Sequence, residues 1–328
     1  MDLTTPVSGI TQIPIPVPLP VHYTNCYVVE AGDSKIIVDA GMDTPDARLA
    51  WQSAIQSLDL HHSPIQYIFV THLHPDHIGL AQWLSERVEA PVAMMDQEAE
   101  FSLRYIGHES SPEELAVMRD FYQQHGVPTE TVEHWTVLDK IFREAIVLPK
   151  EFIRMTDGQQ TLWDNQAFVF IEQGGHTPHQ GLLYLPDRKV LFTGDQVLGR
   201  ITPNVSLWPT GDPNPLANYL NSLRKLQSLN DSIGLPAHEA IVPSVHQRLT
   251  ELIIHHQHRN DKLLGFLEVQ GPLSAFALTR LLFTRPLDDY QLRFAIGETL
   301  AHLELLRSQN LVLTQPQREL VVYVRTPK

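Results

Sequence analysis

Residues 71–77 read Thr-His-Leu-His-Pro-Asp-His and directly follow the apolar run 67–70. Neutral imidazole and carboxylate groups are ligands suited to zinc, iron or manganese. Residues two apart in an extended segment point the same way, so His72 and His74 can converge on one ion. Pro75 helps to end the extended run, so the side chains of Asp76 and His77 must point in a different direction from those of His72 and His74. The segment therefore predicts a metal site rather than a run of solvated loop histidines. Its geometry favours two metals.

The elements around this loop alternate between strand and helix, as in α/β folds. Strands are predicted at 25–30, 35–41, 66–70 and 92–95, and helices at 46–58 and 78–88. Residues 10–20 alternate apolar residues with prolines, which predicts an extended edge strand; a proline-motif ligand is the alternative. From about 97 to 150 the pattern turns helical, which predicts an inserted helical cap.

Further strands are predicted at 167–172, 182–185 and 189–193. Three more candidate ligands follow the first and the third of these strands and the run 235–237. They are His176, Asp195 and His238. Ligands in open α/β folds collect beyond strand ends, where loops carry the chemistry. Each residue alone is typical of an ordinary surface loop. Together with the first motif they complete two coordination spheres.

Length and composition limit the class of protein. A chain of 328 residues with 43% apolar content can bury a large core, and we expect two units at 1–250 and 251–328. We find no apolar run long enough for a membrane helix and no basic segment followed by an apolar one at the N-terminus, so a cytoplasmic protein without a membrane partner is expected. Cys26 is the only cysteine, which excludes an intrachain disulfide and a zinc ribbon.

The net charge of −14 is unevenly distributed. Residues 1–250 hold 15 Lys/Arg against 30 Asp/Glu, and residues 251–328 hold 9 against 8. Neither part has the basic face that usually supplies non-specific affinity for phosphates. A nucleic-acid partner is therefore not favoured, and the acidic excess is interpreted as a solubility feature.

The motifs resemble those of the metallo-β-lactamase superfamily. They are His-x-His-x-Asp-His at 72–77, Gly-His-Thr-Pro at 175–178, Phe-Thr-Gly-Asp at 192–195 and Pro-Ala-His at 236–238. The resemblance implies an αββα sandwich with the metals at one edge of the two sheets. It also implies that His72, His74 and His176 hold one metal, that Asp76, His77 and His238 hold the other, and that Asp195 bridges them. Asp39 is placed by the resemblance to orient a ligand imidazole; a cap at the end of its strand is the alternative role.

Within the superfamily, the carboxylate of Asp195 argues against an antibiotic-degrading enzyme. An arrangement with this carboxylate is similar to that of glyoxalase II, lactonases and nucleases. His179 and Gln180 stand where Gly and His are usual, at positions that line the pocket in relatives. Glyoxalase-type substrate contacts are therefore not carried over. Substrate shape is expected to come from the helical cap and from residues 208–213. Aromatic residues of the cap could line the pocket or belong to the core: Phe101, Tyr105, Phe121 and Tyr122.

Residues 251–328 resemble a winged helix appended to lactamase-like hydrolases. Helices are predicted at 251–268, 273–282 and 290–309, and strands at 311–313 and 319–324. The balanced charge favours a packing or dimer-forming module, so a homodimer is an open expectation. The run His255-His256-Gln257-His258 is interpreted as a solvated helix face rather than a metal site.

These features predict a binuclear metallohydrolase with two divalent ions, zinc being expected and iron or manganese being alternatives. A bridging water with its pKa lowered toward about 7 would supply hydroxide. Asp76 would orient that hydroxide and take its proton. The expected substrate is a small-molecule ester, thioester or lactone. The alternatives are a ribonuclease or phosphodiesterase that uses the winged helix, and a mononuclear iron sulfur dioxygenase.

Overall fold

The computed structural model describes residues 3–106, 111–144 and 146–327, which form two facing β-sheets with helices on both outer faces. Apolar side chains from both sheets fill the space between them. Phe69 of the first sheet and Phe170 of the second have ring centroids 5.1 Å apart. The predicted αββα sandwich is therefore confirmed.

The first sheet has the strand order β1-β2-β3-β4-β5-β6-β7. Its strands are β1 (Thr4–Val7), β2 (Ile10–Pro16), β3 (Tyr23–Ala31), β4 (Ser34–Val38), β5 (Ile65–Phe69), β6 (Val92–Met95) and β7 (Phe152–Met155). Pairing is antiparallel from β1 to β4 and parallel from β4 to β7. Helices α1 (Pro45–Ser57), α2 (Pro75–Ile78) and α3 (Ala81–Val88) contribute to the core on its outer face.

Strand β2 corrects one sequence expectation, because it is not an edge strand at its start. Thr4 and Val7 of β1 pair with Gln12 and Ile10, while β3 pairs along the whole of β2. Pro14 and Pro16 lie beyond the residues that β1 covers. The prolines therefore occupy the part of the strand where a missing N–H costs no ladder bond to β1.

The helix predicted over 78–88 is divided into α2 and α3. Leu80 lies between the two helices, and its backbone N–H donates to the Gly41 carbonyl at 2.9 Å instead of to a carbonyl of α2. A Cβ added at Gly79 would lie 2.4 Å from the Pro75 carbonyl oxygen, so the chain needs glycine at this break. Asp76 and His77 consequently lie in the short helix α2 rather than at its entrance.

The second sheet has the order β12-β11-β10-β9-β8. Its strands are β8 (Gln160–Trp163), β9 (Gln166–Gln173), β10 (Gln180–Leu185), β11 (Val190–Gly194) and β12 (Ile233–Pro236). Strands β11 and β12 are parallel, and the other neighbours are antiparallel. Helix α7 (Pro215–Leu226) packs on its outer face. Strands β1, β7 and β8 were not predicted from the sequence; each is four residues long and partly exposed.

The helical cap consists of α4 (Asp96–Ile106), α5 (Pro112–Gln124) and α6 (Thr129–Glu144). Residues 107–110 and 145 of this segment lie outside the described residues. Ser111 and Glu114 form a capping box at the start of α5. The cap is thus helical over its described part, as predicted.

The C-terminal region packs a small sheet against three helices. These elements are α8 (Val245–Gln270), β13 (Leu273–Ser274), α9 (Ala275–Leu282), α10 (Asp289–Ser308), β14 (Val312–Gln317) and β15 (Leu320–Arg325), with strand order β13-β15-β14. Arg293 Nη2 of α10 donates to Asp139 Oδ1 of α6 at 2.7 Å, which ties this region to the cap. The expected boundary after residue 250 falls inside α8, so that division stays a prediction.

The interpretation of residues 255–258 as a solvated helix face is wrong for His256. This side chain is fully buried, and its Nδ1 lies 3.2 Å from Nε2 of the buried His302 on α10. Burial lowers the pKa of His256 to about 3, so the ring is neutral at pH 7. Two neutral imidazoles can share one hydrogen bond across the α8–α10 contact.

Among the residues that the structure describes, no helix combines the length and apolar character needed to cross the lipid bilayer.

Candidate metal centre

The predicted ligands come from strand ends that meet at one edge of the two sheets. His72 and His74 follow β5, and Asp76 and His77 belong to α2. The other three follow β9, β11 and β12: His176, Asp195 and His238. The structure therefore brings together residues that are separated by more than 160 positions in sequence.

The first ligand group comprises His72, His74 and His176, whose candidate ligand atoms lie within 4.8 Å of one another. His74 Nδ1 lies 2.9 Å from His72 Nε2 and 3.1 Å from His176 Nε2. Three nitrogens converging on one point form a donor set typical of zinc or iron.

The second group comprises Asp76, His77 and His238. Asp76 Oδ2 lies 3.2 Å from His238 Nε2 and 3.8 Å from His77 Nε2. This group combines two imidazoles with one carboxylate, which suits the same metals as the first group.

Asp195 lies between the two groups. Its Oδ1 is 3.6 Å from His77 Nε2 and 3.5 Å from His238 Nε2, whereas its Oδ2 is 3.5 Å from His176 Nε2. One carboxylate therefore presents a different oxygen to each group. That arrangement suits a ligand shared by two ions.

Two buried polar atoms support the fit of a metal to this site. His77 Nε2 and Asp195 Oδ1 have no hydrogen-bond partner among the described residues. A buried polar atom left unpaired costs about 1–3 kcal/mol. A metal ion bound between these atoms would remove that cost for both.

The outer nitrogens of several imidazoles are fixed by oxygen acceptors. The Asn204 carbonyl accepts from His176 Nδ1, and the Tyr23 carbonyl accepts from His238 Nδ1, both at 2.8 Å. Because a carbonyl only accepts, Nδ1 carries a proton in each ring, which leaves Nε2 as the nitrogen that can face a metal.

Asp39 lies against His77 and can orient it, which is one of the two roles that the sequence had left open. Its Oδ2 lies 2.9 Å from His77 Nδ1, and its Oδ1 accepts the Thr71 backbone N–H at 2.8 Å. The Thr71 hydroxyl donates to Asp39 at 3.0 Å and lies 3.0 Å from His72 Nδ1. The Asp39–Thr71 pair therefore orients a ligand from each group.

The two groups differ in their electrostatics. Burial and the neighbouring His176 lower the pKa of His74 to about 3, so the first group is neutral near pH 7. Burial also lowers the pKa of His77 and His238, but the surrounding aspartates outweigh it and raise the two pKa values to about 10 and 11. In the second group, protons therefore compete with a metal at neutral pH.

Glu98 joins the two loops that carry the ligands, and sequence reasoning missed it. Its Oε1 accepts the Leu73 N–H at 3.1 Å, and its Oε2 accepts from Thr177 Oγ1 at 3.0 Å and from the His179 N–H at 3.1 Å. Burial raises the pKa of Glu98 to about 7, although these hydrogen bonds act to lower it. Its sequence signal was that of an acid in the first turn of a helix, which is common and not specific.

Replacing Glu98 with alanine is expected to lower metal affinity about 10- to 100-fold, the usual effect of losing a group that supports metal ligands. The change leaves three buried donors without their acceptor and frees both ligand loops. Competition with a chromophoric chelator measures the affinity. Glu100→Ala, at an exposed site on the same helix, is the control. An equal affinity in all three proteins would contradict this role.

A cavity of about 430 Å³ opens onto the ligand cluster. The loop 208–212 lines it, as predicted, and so do Phe101 and Tyr105 of the cap, for which the sequence had left pocket and core as alternatives. Tyr122 instead lies fully buried in the core of the C-terminal region, and Phe121 packs against that core.

The two residues that depart from the common motif do not line this cavity. His179 Nδ1 lies 3.0 Å from Glu172 Oε1, and Gln180 is buried with its amide donating to the Thr193 carbonyl at 3.1 Å. Their effect on a substrate in the cavity can therefore only be indirect.

Two family models match the chain. The model described as the metallo-beta-lactamase superfamily matches residues 19–238, and the one described as the metallo-beta-lactamase-like C-terminal domain matches residues 263–325. The first match contains all the ligands described above.

Similar proteins include curated relatives and solved structures. The chain is 25% identical to a probable metallo-hydrolase of Bacillus subtilis over 97% of this chain and 98% of that protein. It is 25% identical to an atrochrysone carboxyl ACP thioesterase of Aspergillus fumigatus, over 74% of this chain and 58% of the relative.

Two solved structures match nearly the whole chain. A metallo-beta-lactamase family protein of Thermus thermophilus is 31% identical, with a TM-score of 0.82 over 98% of this chain and 100% of its own. A beta-lactamase domain protein of Burkholderia ambifaria is 27% identical, with a TM-score of 0.86 over 99% of this chain and 94% of its own.

Proposed function

The chain belongs to the metallo-beta-lactamase superfamily, and we propose that it hydrolyses a small-molecule ester, thioester or lactone with two divalent metal ions. The observation that carries this proposal is the place of Asp195. Its two oxygens lie 3.5–3.6 Å from imidazole nitrogens of both ligand groups. A carboxylate with one oxygen toward each ligand group can serve two ions at once.

When bound, the ions would lower the pKa of a water molecule and polarise the carbonyl of the substrate. Zinc is the proposed metal, with iron and manganese as alternatives that fit the same donors. The proposed ligands are His72, His74 and His176 for one ion, Asp76, His77 and His238 for the other, and Asp195 for both.

Asp76 has the geometry of a proton acceptor at the floor of the cavity. Burial raises the pKa of this carboxyl, but His77 and His238 outweigh burial and lower the pKa to about 2. A metal that replaces the protons of these imidazoles is itself positively charged, so the carboxylate stays ionised at neutral pH in the loaded site and can hold or take the proton of the attacking water. Asp39 and Thr71 keep the neighbouring imidazoles in the orientation that this step needs.

The cavity supports a substrate with an apolar acyl part. Its walls include Met42, Phe101, Met118, Trp208 and Phe294. Apolar walls with a few polar groups at one end are typical of small-molecule sites. The relative from Aspergillus fumigatus, which is named as a thioesterase, supports the same class of substrate.

Elemental analysis combined with a substrate panel tests the proposal. The expected result is about two metal equivalents per chain and turnover of a thioester, ester or lactone. One equivalent of iron with consumption of oxygen would support a sulfur dioxygenase instead. Turnover of RNA or a phosphodiester alone would support the nuclease alternative.

The position of α10 disfavours the nuclease alternative. In nucleic-acid-binding domains of the helix-turn-helix type, a recognition helix must be free to enter a groove. Residues 295–303 of α10 are buried without interruption. RNA binding that weakens steeply with salt would contradict this interpretation.

The acyl chain is expected to pack against Phe101. Replacing Phe101 with alanine should lower kcat/KM about 10-fold for a long-chain acyl substrate and less than about 2-fold for an acetyl ester, because burying a large apolar side chain contributes about 1.5–3 kcal/mol. The ratio of kcat/KM values measures this selectivity. Leu103→Ala, at an exposed site on the same helix, is the control. Equal losses for both substrates would contradict an acyl site at Phe101.

A further inference from the structure

Helix α10 belongs to the C-terminal region and nevertheless lines the catalytic cavity. Tyr290 and Phe294 share that cavity with Asp76 and His238.

The segment 204–207 lies against α10 at very short range. The Leu207 N–H donates to the Gly297 carbonyl at 3.0 Å, and Asn204 Nδ2 lies 3.4 Å from the Phe294 carbonyl oxygen. A Cβ added at Gly297 would lie 2.6 Å from Ser206 Oγ and 2.8 Å from Ser206 Cβ. Only glycine at 297 permits this approach of the segment to the helix.

The same segment holds a proposed metal ligand on its other side. Ser206 Oγ donates to Asn204 Oδ1 at 2.6 Å, and the Asn204 carbonyl accepts from His176 Nδ1 at 2.8 Å. A continuous path of contacts thus runs from Gly297 through Ser206 and Asn204 to His176.

We infer that α10 is a positioning element of the metal site: the close contact between Gly297 and Ser206 seats segment 204–207, whose Asn204 carbonyl fixes the His176 imidazole. The C-terminal region is then part of the catalytic centre rather than an appended binding module. This inference rests on the proposed metal site and is independent of the substrate.

Gly297→Ala tests the contact because helix propensity and packing act in opposite directions. Alanine is the better helix former, so the variant should be at least as stable as the wild type if α10 has room for a methyl group. If the contact positions segment 204–207, metal affinity should fall about 10- to 100-fold. The absorption spectrum of the Co²⁺-loaded protein should also change, because it reports the coordination of the ion directly.

Two further variants complete the experiment. Gly265→Ala on α8 is the matched control, since an added Cβ there meets nothing within 4 Å. Ser206→Gly removes both atoms that an alanine at 297 would strike, together with the hydrogen bond to Asn204 Oδ1, so adding Gly297→Ala to Ser206→Gly should lower the affinity no further. Wild-type affinity and an unchanged Co²⁺ spectrum in Gly297→Ala would overturn the inference.

If Gly297→Ala does not fold, Asn204→Ala tests the same path without added atoms. It removes the side-chain contacts of Asn204 with Ser206 and α10 and keeps the backbone carbonyl. Metal affinity should fall about 10-fold, and an unchanged affinity would overturn the inference. A wild-type protein that binds no divalent metal would instead overturn the proposed function, so the two failures are distinguishable.

Discussion

Asp76→Asn is expected to lower kcat about 10²- to 10⁴-fold while the fold stays intact, the range found when a group that transfers a proton is removed. The carboxylate is buried, ionised, and 3.2 Å from His238 Nε2 at the floor of the cavity. Asparagine keeps the size and one oxygen ligand but cannot take a proton.

Steady-state kinetics at saturating metal measure this loss, and elemental analysis shows whether the metal content is retained. Asp261→Asn, at an exposed site on α8, is the control for a general effect of charge. Activity near that of the wild type in Asp76→Asn would remove Asp76 from the mechanism.

Metal binding is expected to release protons and to weaken as the pH falls. With no metal bound, the pKa values of about 10 and 11 keep His77 and His238 protonated at pH 7. A metal must displace those protons, so each unit of pH below these pKa values lowers the affinity of the second group about 10- to 100-fold. The first group stays neutral down to low pH, because the pKa values of His72 and His74 are lowered.

The number of metals bound should therefore depend on pH. Elemental analysis is expected to find about two equivalents per chain at pH 8 and about one near pH 5. Calorimetry in buffers of different ionisation enthalpy measures the released protons. His62→Gln, which removes an exposed histidine, should leave the proton count unchanged. The same affinity at pH 5 and pH 9 would contradict the electrostatic difference between the two groups.

The sequence by itself was sufficient for the candidate ligands and for most elements around them. His72 and His74 are two residues apart after an apolar strand, and Asp76 and His77 follow a proline, so their directions depend on local backbone geometry. Ordered motifs at 175–178, 192–195 and 236–238 supplied the remaining ligands and the αββα sandwich. Apolar periodicity placed α1 and α10 close to their observed bounds.

Only the tertiary structure decided which groups hold those ligands in place. Glu98 lies 79 residues from Thr177 in sequence, and the Tyr23 carbonyl lies 215 residues from His238. Such partners are common residue types or backbone atoms, so composition and spacing carry no signal for them. Burial of His256 and of α10 likewise depends on contacts between distant segments rather than on local pattern.

The physical reason is the range over which each constraint acts. Backbone geometry sets side-chain direction over two to four residues, and it therefore gives the chemistry of the 72–77 segment before any fold is known. Orientation of an imidazole, the pKa of a buried carboxyl and the shape of a cavity depend on which atoms the packed chain brings within a few ångströms. For this protein, local sequence determined the set of candidate ligands, and tertiary packing decided how they are oriented, charged and enclosed.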